Sequence, residues 1–282
     1  MTTLLNQLIT LLETEQIEEC IFRGDSYNAG TGSVFGGQVL GQAISVAQST
    51  VEKNRRIHSA HAYFLRAGNH DAPIVYMVDK TRDGRSYSSR TISAIQHGQP
   101  IFTMMCSFQK DETSDLEHAE SIELPPMNAH HMCEVDLEHD SPEERSVRSK
   151  ILSNQPFLMR FSQEDLQQPT PLEDYWLKTN ATLSDDSMLH CSLLAYASDF
   201  RLLTSALRPV GYRYQLADIT IATICHSIWF HRDFRMDDWL FTRCEPLSVS
   251  NGRGLSKGGI YDGGGQLIAT TMQEGVIRKI RK

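Results

Sequence analysis

Tyr63-Phe64-Leu65-Arg66 returns further along the chain as Trp229-Phe230-His231-Arg232, and the match does not stop there. Gly84-Arg85 returns as Gly252-Arg253, Gly98-Gln99-Pro100-Ile101 as Gly265-Gln266-Leu267-Ile268, and Met105 as Met272, each 166 to 168 positions later. One such pair is chance. Four in order at near-constant spacing predict a duplicated β-rich unit, and the 282 residues are enough for about two domains with separate cores.

Within the first unit the spacing predicts an amphipathic helix from Met1 to about Cys20, carried by Leu4, Leu5, Leu8, Leu11 and Leu12. A second helix is predicted from Phe35 to about Ser49, with Gly36, Gly37 and Gly41 suited to close packing. Strands follow at 58–65, 74–80, 87–96 and 101–109, punctuated by Asp83-Gly84 and His97-Gly98. One long helix followed by antiparallel strands is an α+β unit with the helix on one face of the sheet. The second unit repeats the plan: strands at 157–161 and 175–179, a helix over 185–207, then strands at 219–231, 239–245, 254–261 and 266–277. The predicted division is residues 1–110, an acidic linker 111–154, and residues 155–282. From Lys110 to Lys150 twelve acidic residues face four basic ones, with Pro125, Pro126 and Pro142, which reads as a solvated linker.

Composition narrows the function. The net charge of −8 argues against nonspecific nucleic-acid binding. No segment has the ~20 apolar residues of a membrane span, and the start has neither signal- nor transit-peptide character. Cys20, Cys106, Cys133, Cys191, Cys225 and Cys244 form no CxxC pair, so a reducing, cytoplasmic setting is expected. His58 and His61, His130 and His131, and His226 and His231 make no recognised metal-ligand pattern with a carboxylate, and no metal site is expected. No cofactor-binding glycine motif, P-loop or G-x-S-x-G elbow is present.

Asp199 is the polar residue hardest to explain. Leu193-Leu194-Ala195-Tyr196-Ala197 precedes it and Phe200, Leu202 and Leu203 follow, so its helix is apolar nearly all round. Two readings stand: a carboxylate paired with Arg201 or Arg208 or lying on the solvent stripe of the helix, or a buried base with a raised pKa. Thr223, in a β-branched run, is uninformative alone. Gln273 shares a predicted strand face with Leu267, Ala269 and Thr271 and needs partners if buried.

Phe22-Arg23-Gly24, Val34-Phe35-Gly36-Gly37-Gln38-Val39, His61-Ala62-Tyr63-Phe64-Leu65-Arg66, Arg82-Asp83-Gly84-Arg85-Ser86-Tyr87, Tyr196-Ala197-Ser198-Asp199, the run from Ile221 to His231, and Met272-Gln273-Glu274-Gly275-Val276 together resemble the acyl-CoA thioesterase II family. The resemblance covers nearly the whole chain and implies a double hot-dog fold. It also implies hydrolysis of medium- to long-chain fatty acyl-CoA to fatty acid and coenzyme A, without a cofactor. By motif the family's water-holding trio falls on Asp199, Thr223 and Gln273. Cys225 stands where relatives often carry an acid. Counting back 166 and 167 positions from Thr223 and Gln273 gives Ile57 and Cys106, and Gln38 lies opposite Asp199, so the first unit has no base and one active site per chain is expected.

Under that resemblance Asp199 is the general base, and Thr223 and Gln273 orient the water. Gly36, Gly37 and Gln38 are candidate oxyanion donors at a helix N-terminus, or simply helix packing. Arg66, Arg82, Arg85 and Arg90 are candidates for the coenzyme A phosphates. Phe64, Trp229 and Phe230 either line an acyl tunnel or belong to the core. A hot-dog hydratase or dehydratase is the rival enzyme, disfavoured because position 205 is serine where a histidine would be expected. A noncatalytic acyl-CoA-binding protein is the rival from another class. A homo-oligomer, dimer or tetramer, is expected.

Overall fold

The computed structural model describes residues 3–28, 32–127, 130–132, 156–162, 171–212 and 218–280. Helices α1 (Thr3–Leu12) and α2 (Gly36–Ser49) belong to the first half with strands β1 (Glu15–Glu18), β2 (Ile21–Gly24), β3 (Arg55–Phe64), β4 (Ile74–Asp83), β5 (Tyr87–Gln96) and β6 (Gln99–Lys110). After β7 (His130–Met132) come β8 (Phe157–Ser162) and β9 (Glu173–Thr179). Then follow α3 (Ser187–Ala197), α4 (Leu202–Ser205), β10 (Ile219–Phe230), β11 (Leu240–Ser250), β12 (Arg253–Tyr261) and β13 (Leu267–Lys279).

Thirteen strands among the described residues form one antiparallel sheet in the order β1-β2-β4-β5-β6-β3-β10-β13-β12-β11-β9-β8-β7. Outward from the central β3–β10 pair the order is the same on both sides: β6, β5, β4 against β13, β12, β11. The seam is symmetric in register. Ser227 pairs with His61, while Cys225 pairs with Tyr63 and Trp229 with Ser59. The local axis therefore passes at His61 and Ser227, whose side chains meet at 3.0 Å (Nδ1 to Oγ).

Residues alternate along the central strands, so β5 buries Ser88, Arg90, Ile92, Ala94 and Gln96 on one face. Helices α2 and α3 lie together against that face, and Ala43, Ile44, Leu193 and Leu194 are buried between them and the sheet. Close approach is decided by glycine. A β-carbon on Gly37 would strike the Tyr196 carbonyl oxygen, and one on Gly41 would lie 2.8 Å from Leu12 and 3.0 Å from the Ser192 carbonyl. This is the two-layer α+β arrangement expected of a double hot-dog.

Three expectations are corrected. The opening helix ends at Leu12, and Glu15–Glu18 is an edge strand on β2. The helix expected over 185–207 is broken: α3 stops at Ala197, Arg201 adopts a left-handed conformation (φ 58°), and only Leu202–Ser205 resumes. Apolar residues flank the break on both sides, so periodicity could not reveal it. The acidic stretch is not wholly solvated either. The Ile122 amide donates to the Gly265 carbonyl and the Leu267 amide to the Glu120 carbonyl, and Ile122, Leu124 and Met127 pack on Trp176, Phe241 and Tyr261. The remainder, 128–129 and 133–155, lies outside the described residues. No helix among the described residues is long and apolar enough to cross a membrane.

Candidate active site

The break after α3 places Asp199 beside the start of α2, the helix of the other half. The Gly37 amide donates to Asp199 Oδ2 at 2.8 Å, which sets the carboxylate at the positive end of a helix. From the sheet, Gln273 Nε2 donates to Asp199 Oδ1 at 2.5 Å and to Thr223 Oγ1 at 2.8 Å. An ionised carboxylate only accepts, so the amide nitrogen of Gln273 must face it. The side-chain oxygen of Gln273 is buried and has no partner. Arg201, the alternative partner for Asp199, turns away to the buried Glu173.

Thr223 reaches this group only because β10 carries a β-bulge. From His226 through Ile228 to Phe230 alternate residues face the helices, and strict alternation would turn Thr223 to the opposite face. The register shifts between Thr223 and Cys225, with Thr223 opposite Gly275 and Cys225 opposite Glu274. Ile224 is the extra residue, and it rotates Thr223 inward. The first half has the same bulge at the matching place, between Ile57 and Ser59. There the inward residue is Ile57, in one core cluster with Cys106. It lines a surface with Gln48 and Met188 at the end of β3 away from Phe64 and Gly36. Gln38, expected opposite Asp199, is not part of that arrangement: it sits in the first turn of α2, tied to the Tyr27 amide and the Asp25 carbonyl. The backbone device is present twice; the chemistry is present once.

Burial pushes the Asp199 carboxyl up to about 6 against the opposing pull of the Gln273 and Gly37 hydrogen bonds. It remains partly exposed to solvent. A carboxylate with a raised pKa, reachable and oriented at both oxygens, can take a proton from water near neutral pH.

The other expected residues divide. Gly37 N–H is already engaged by Asp199, and the Gln38 amide bonds the Phe35 carbonyl at 3.1 Å. Of the three oxyanion candidates this leaves Gly36, whose amide at the first helical position has no intrahelical acceptor. Phe64 lies beside it, 3.3 Å from where a Gly36 β-carbon would be. Trp229 is on the other face of the sheet, against His61 at 5.1 Å between ring centroids, and cannot line a helix-side tunnel. Phe230 faces inward but stacks on Phe234.

The arginines are not one cluster. Arg90 is 1% exposed, and its guanidinium is consumed by Thr50, the carbonyls of Arg82 and Ser89, and Asp83. It holds the sheet to the end of α2. Arg82 and Arg85 are exposed at the β4–β5 turn, whereas Arg66 leaves β3 at the end where Thr223 sits. A ten-residue strand, about 30 Å long, separates those ends.

Sequence reasoning did not foresee the bond from Gly37 to Asp199, and it gave no role in the site to Ser198 or to His226, which lie behind Asp199. Ser198 directly precedes the carboxylate, and no spacing rule links it to a residue on β10.

A family model described as acyl-CoA thioesterase matches residues 164–276, and one described as the acyl-CoA thioesterase N-terminal domain matches residues 25–109. The chain is 39% identical over 290 residues to acyl-CoA thioesterase 2 of Haemophilus influenzae, covering 99% of each chain. It is 33% identical to acyl-coenzyme A thioesterase 8 of Homo sapiens, over 95% of this chain and 88% of that one. Among solved structures, acyl-CoA thioesterase II TesB2 from Mycobacterium marinum superposes with a TM-score of 0.80 at 33% identity, covering 97% of each chain.

Proposed function

Because the chain belongs to the acyl-CoA thioesterase II family and is a thioester hydrolase, we propose that it cleaves medium- to long-chain fatty acyl-CoA by direct attack of a water held by Asp199, Thr223 and Gln273. The observation that carries this reading is the Gln273 amide, which bridges Asp199 and Thr223 at 2.5 and 2.8 Å. Because Thr223 Oγ1 accepts from Gln273, its hydroxyl proton is not used in that contact and is donated to the water oxygen. Asp199 takes a proton from that water as the new C–O bond forms. The carbonyl oxygen becomes an oxyanion, with the Gly36 amide as its donor. On collapse the C–S bond breaks, and the proton held by Asp199 passes to the departing coenzyme A sulfur.

The rival in which Thr223 is itself the nucleophile needs a base in contact with its hydroxyl. Gln273 stands between Thr223 and Asp199, which favours water. The hydratase reading is disfavoured by Ser205, whose buried hydroxyl meets Leu202 O and Ser256 Oγ.

The same reading divides the chain into a catalytically degenerate unit 1–110, a linker 111–154 and a catalytic unit 155–282, acting in the cytoplasm. Arg66 is the arginine placed to meet a coenzyme A phosphate, and Phe64 the ring nearest the acyl path. A homo-oligomer fits the exposed Tyr63, Met77 and Met105 on the outer face of the sheet.

Thiol release from acyl-CoAs of graded length, with wild type beside Asp199→Asn, tests the assignment. Removal of the base is expected to lower the rate by about 10²-fold or more. Full activity in the variant overturns Asp199 as base. Binding of substrate by the wild type without thiol release overturns the hydrolase reading, and an acyl adduct on Thr223 detected by mass spectrometry overturns direct water attack.

A further inference from the structure

We propose that His226 is a positioning residue for Asp199: its Nε2–H holds the Ser198 hydroxyl, and through it the turn that presents the carboxylate to Gln273. The proposal rests on the reading of Asp199 as the base and concerns how that base is kept in place.

Hydrogen-bond accounting fixes the direction of the contact. The Ser198 hydroxyl has one proton, and it donates that proton to the Ala195 carbonyl at 2.8 Å. Its 3.0 Å contact with His226 Nε2 must then be one in which the imidazole donates and the serine accepts. His226 Nδ1 is buried without a partner. It is therefore the unprotonated nitrogen, because an orphaned acceptor is better tolerated than an orphaned donor. The ring is neutral, and burial pushes its pKa down to about 4, in the same sense.

The placement explains what the contact does. Ser198 caps α3, and the next residue is Asp199. Beyond it the chain reverses through Arg201, so the turn depends on its few anchors: Ser198 N to Leu194 O at 2.8 Å, Phe200 N to Ala197 O at 3.0 Å, and the Tyr175 hydroxyl to Phe200 O at 3.2 Å. His226 is the anchor that comes from the strand beside Gln273. In the β10–β13 register the two residues are direct partners. One ring thus spans the base, through Ser198, and the strand position of the amide that orients it. At 1% exposure His226 touches no substrate.

The first half supplies a built-in comparison. There Ala60 pairs with Cys106 as His226 pairs with Gln273. The half without a base also lacks the histidine.

The test measures kcat and KM by thiol release, together with urea unfolding midpoints, for Ser198→Ala, His226→Phe, His226→Gln and Asp199→Asn. Phenylalanine keeps the ring and removes the donor; glutamine places an amide N–H near the Nε2 position. Misplacement of a base by a fraction of an ångström acts on the chemical step. Ser198→Ala and His226→Phe are therefore expected to lose about 10-fold or more in kcat with KM within about twofold, and His226→Gln to recover most of it. Wild-type kcat per folded molecule in Ser198→Ala and His226→Phe, with only the unfolding midpoint lowered, overturns the positioning role. So does a His226→Gln variant as slow as His226→Phe. If Asp199→Asn keeps full activity, the base assignment falls and this one with it. If Asp199→Asn is inactive while Ser198→Ala and His226→Phe are not, the positioning role alone falls.

Discussion

Replacement of Asp199 by asparagine should remove a pH-dependent destabilisation of the fold along with the activity. The magnitude follows from the gap between about 6 for this carboxyl in the fold and its ordinary value of 3.8. That gap is about 2.2 pH units, and at about 1.36 kcal/mol per unit it amounts to about 3 kcal/mol. The sign follows from proton linkage. With its folded pKa raised, the native state binds more protons than the unfolded state between about pH 4 and pH 6. Stability of the wild type therefore falls as pH rises through that window and levels off above it. The asparagine side chain cannot ionise, so the variant lacks this slope. Urea unfolding of both proteins at half-unit steps from pH 4 to pH 8 isolates the effect, because every other titrating group cancels in the difference. Relative to wild type, the stability of the variant should rise by about 2 kcal/mol between pH 4 and pH 6.5, most of the full ~3 kcal/mol, and level off above about pH 7. A difference that is flat refutes the reasoning. A difference that runs the other way would mean a carboxylate stabilised by the fold, which is not a poised base.

The same pKa predicts that kcat/KM for wild type falls about tenfold per pH unit below about pH 6, because Asp199 must be unprotonated to act; a profile flat to pH 4.5 excludes it. Gly36→Ala puts a methyl 2.8 Å from Asp199 Oδ2, so the carboxylate must swing aside, and kcat should drop about 10-fold or more with little loss in thermal stability. Gly37→Ala meets the Tyr196 carbonyl instead, where backbone must give way, and a loss of about 1–3 kcal/mol in urea unfolding is expected. Arg90→Ala should cost about 2–4 kcal/mol of stability and leave KM for acyl-CoA unchanged, since the guanidinium is spent on Thr50 and Asp83. A raised KM with normal stability would restore Arg90 as a phosphate ligand.

The duplicated plan was legible because it depends on local chemistry. Glycine turns at Asp83-Gly84 and Asn251-Gly252, the period-2 runs of β5 and β13, and the repeat spacing near 166 all reappear in the sheet order. The trio came from motif resemblance, and the asymmetry between Thr223 and Ile57 from counting along the repeat. The arginines could not be sorted this way, because proximity in sequence across a hairpin turn says nothing about which end of a strand a residue occupies. Arg90 carries a charge whose burial is settled only by the Thr50 and Asp83 groups that meet it.

Alternation, turn chemistry and the repeat spacing thus determined by themselves that this chain is a duplicated β-rich plan, and the polar trio came only with the family resemblance. Three long-range events were left to the tertiary structure. The α2 amide of one half meets the carboxylate of the other, 162 residues away in sequence. The extra residue at Ile224 turns Thr223 to the helix side, and the left-handed Arg201 ends a helix whose flanks are apolar on both sides. Each depends on which partner lies across the packed layer. That choice is made by the sum of contacts over the whole fold, and no local rule on residue order contains it.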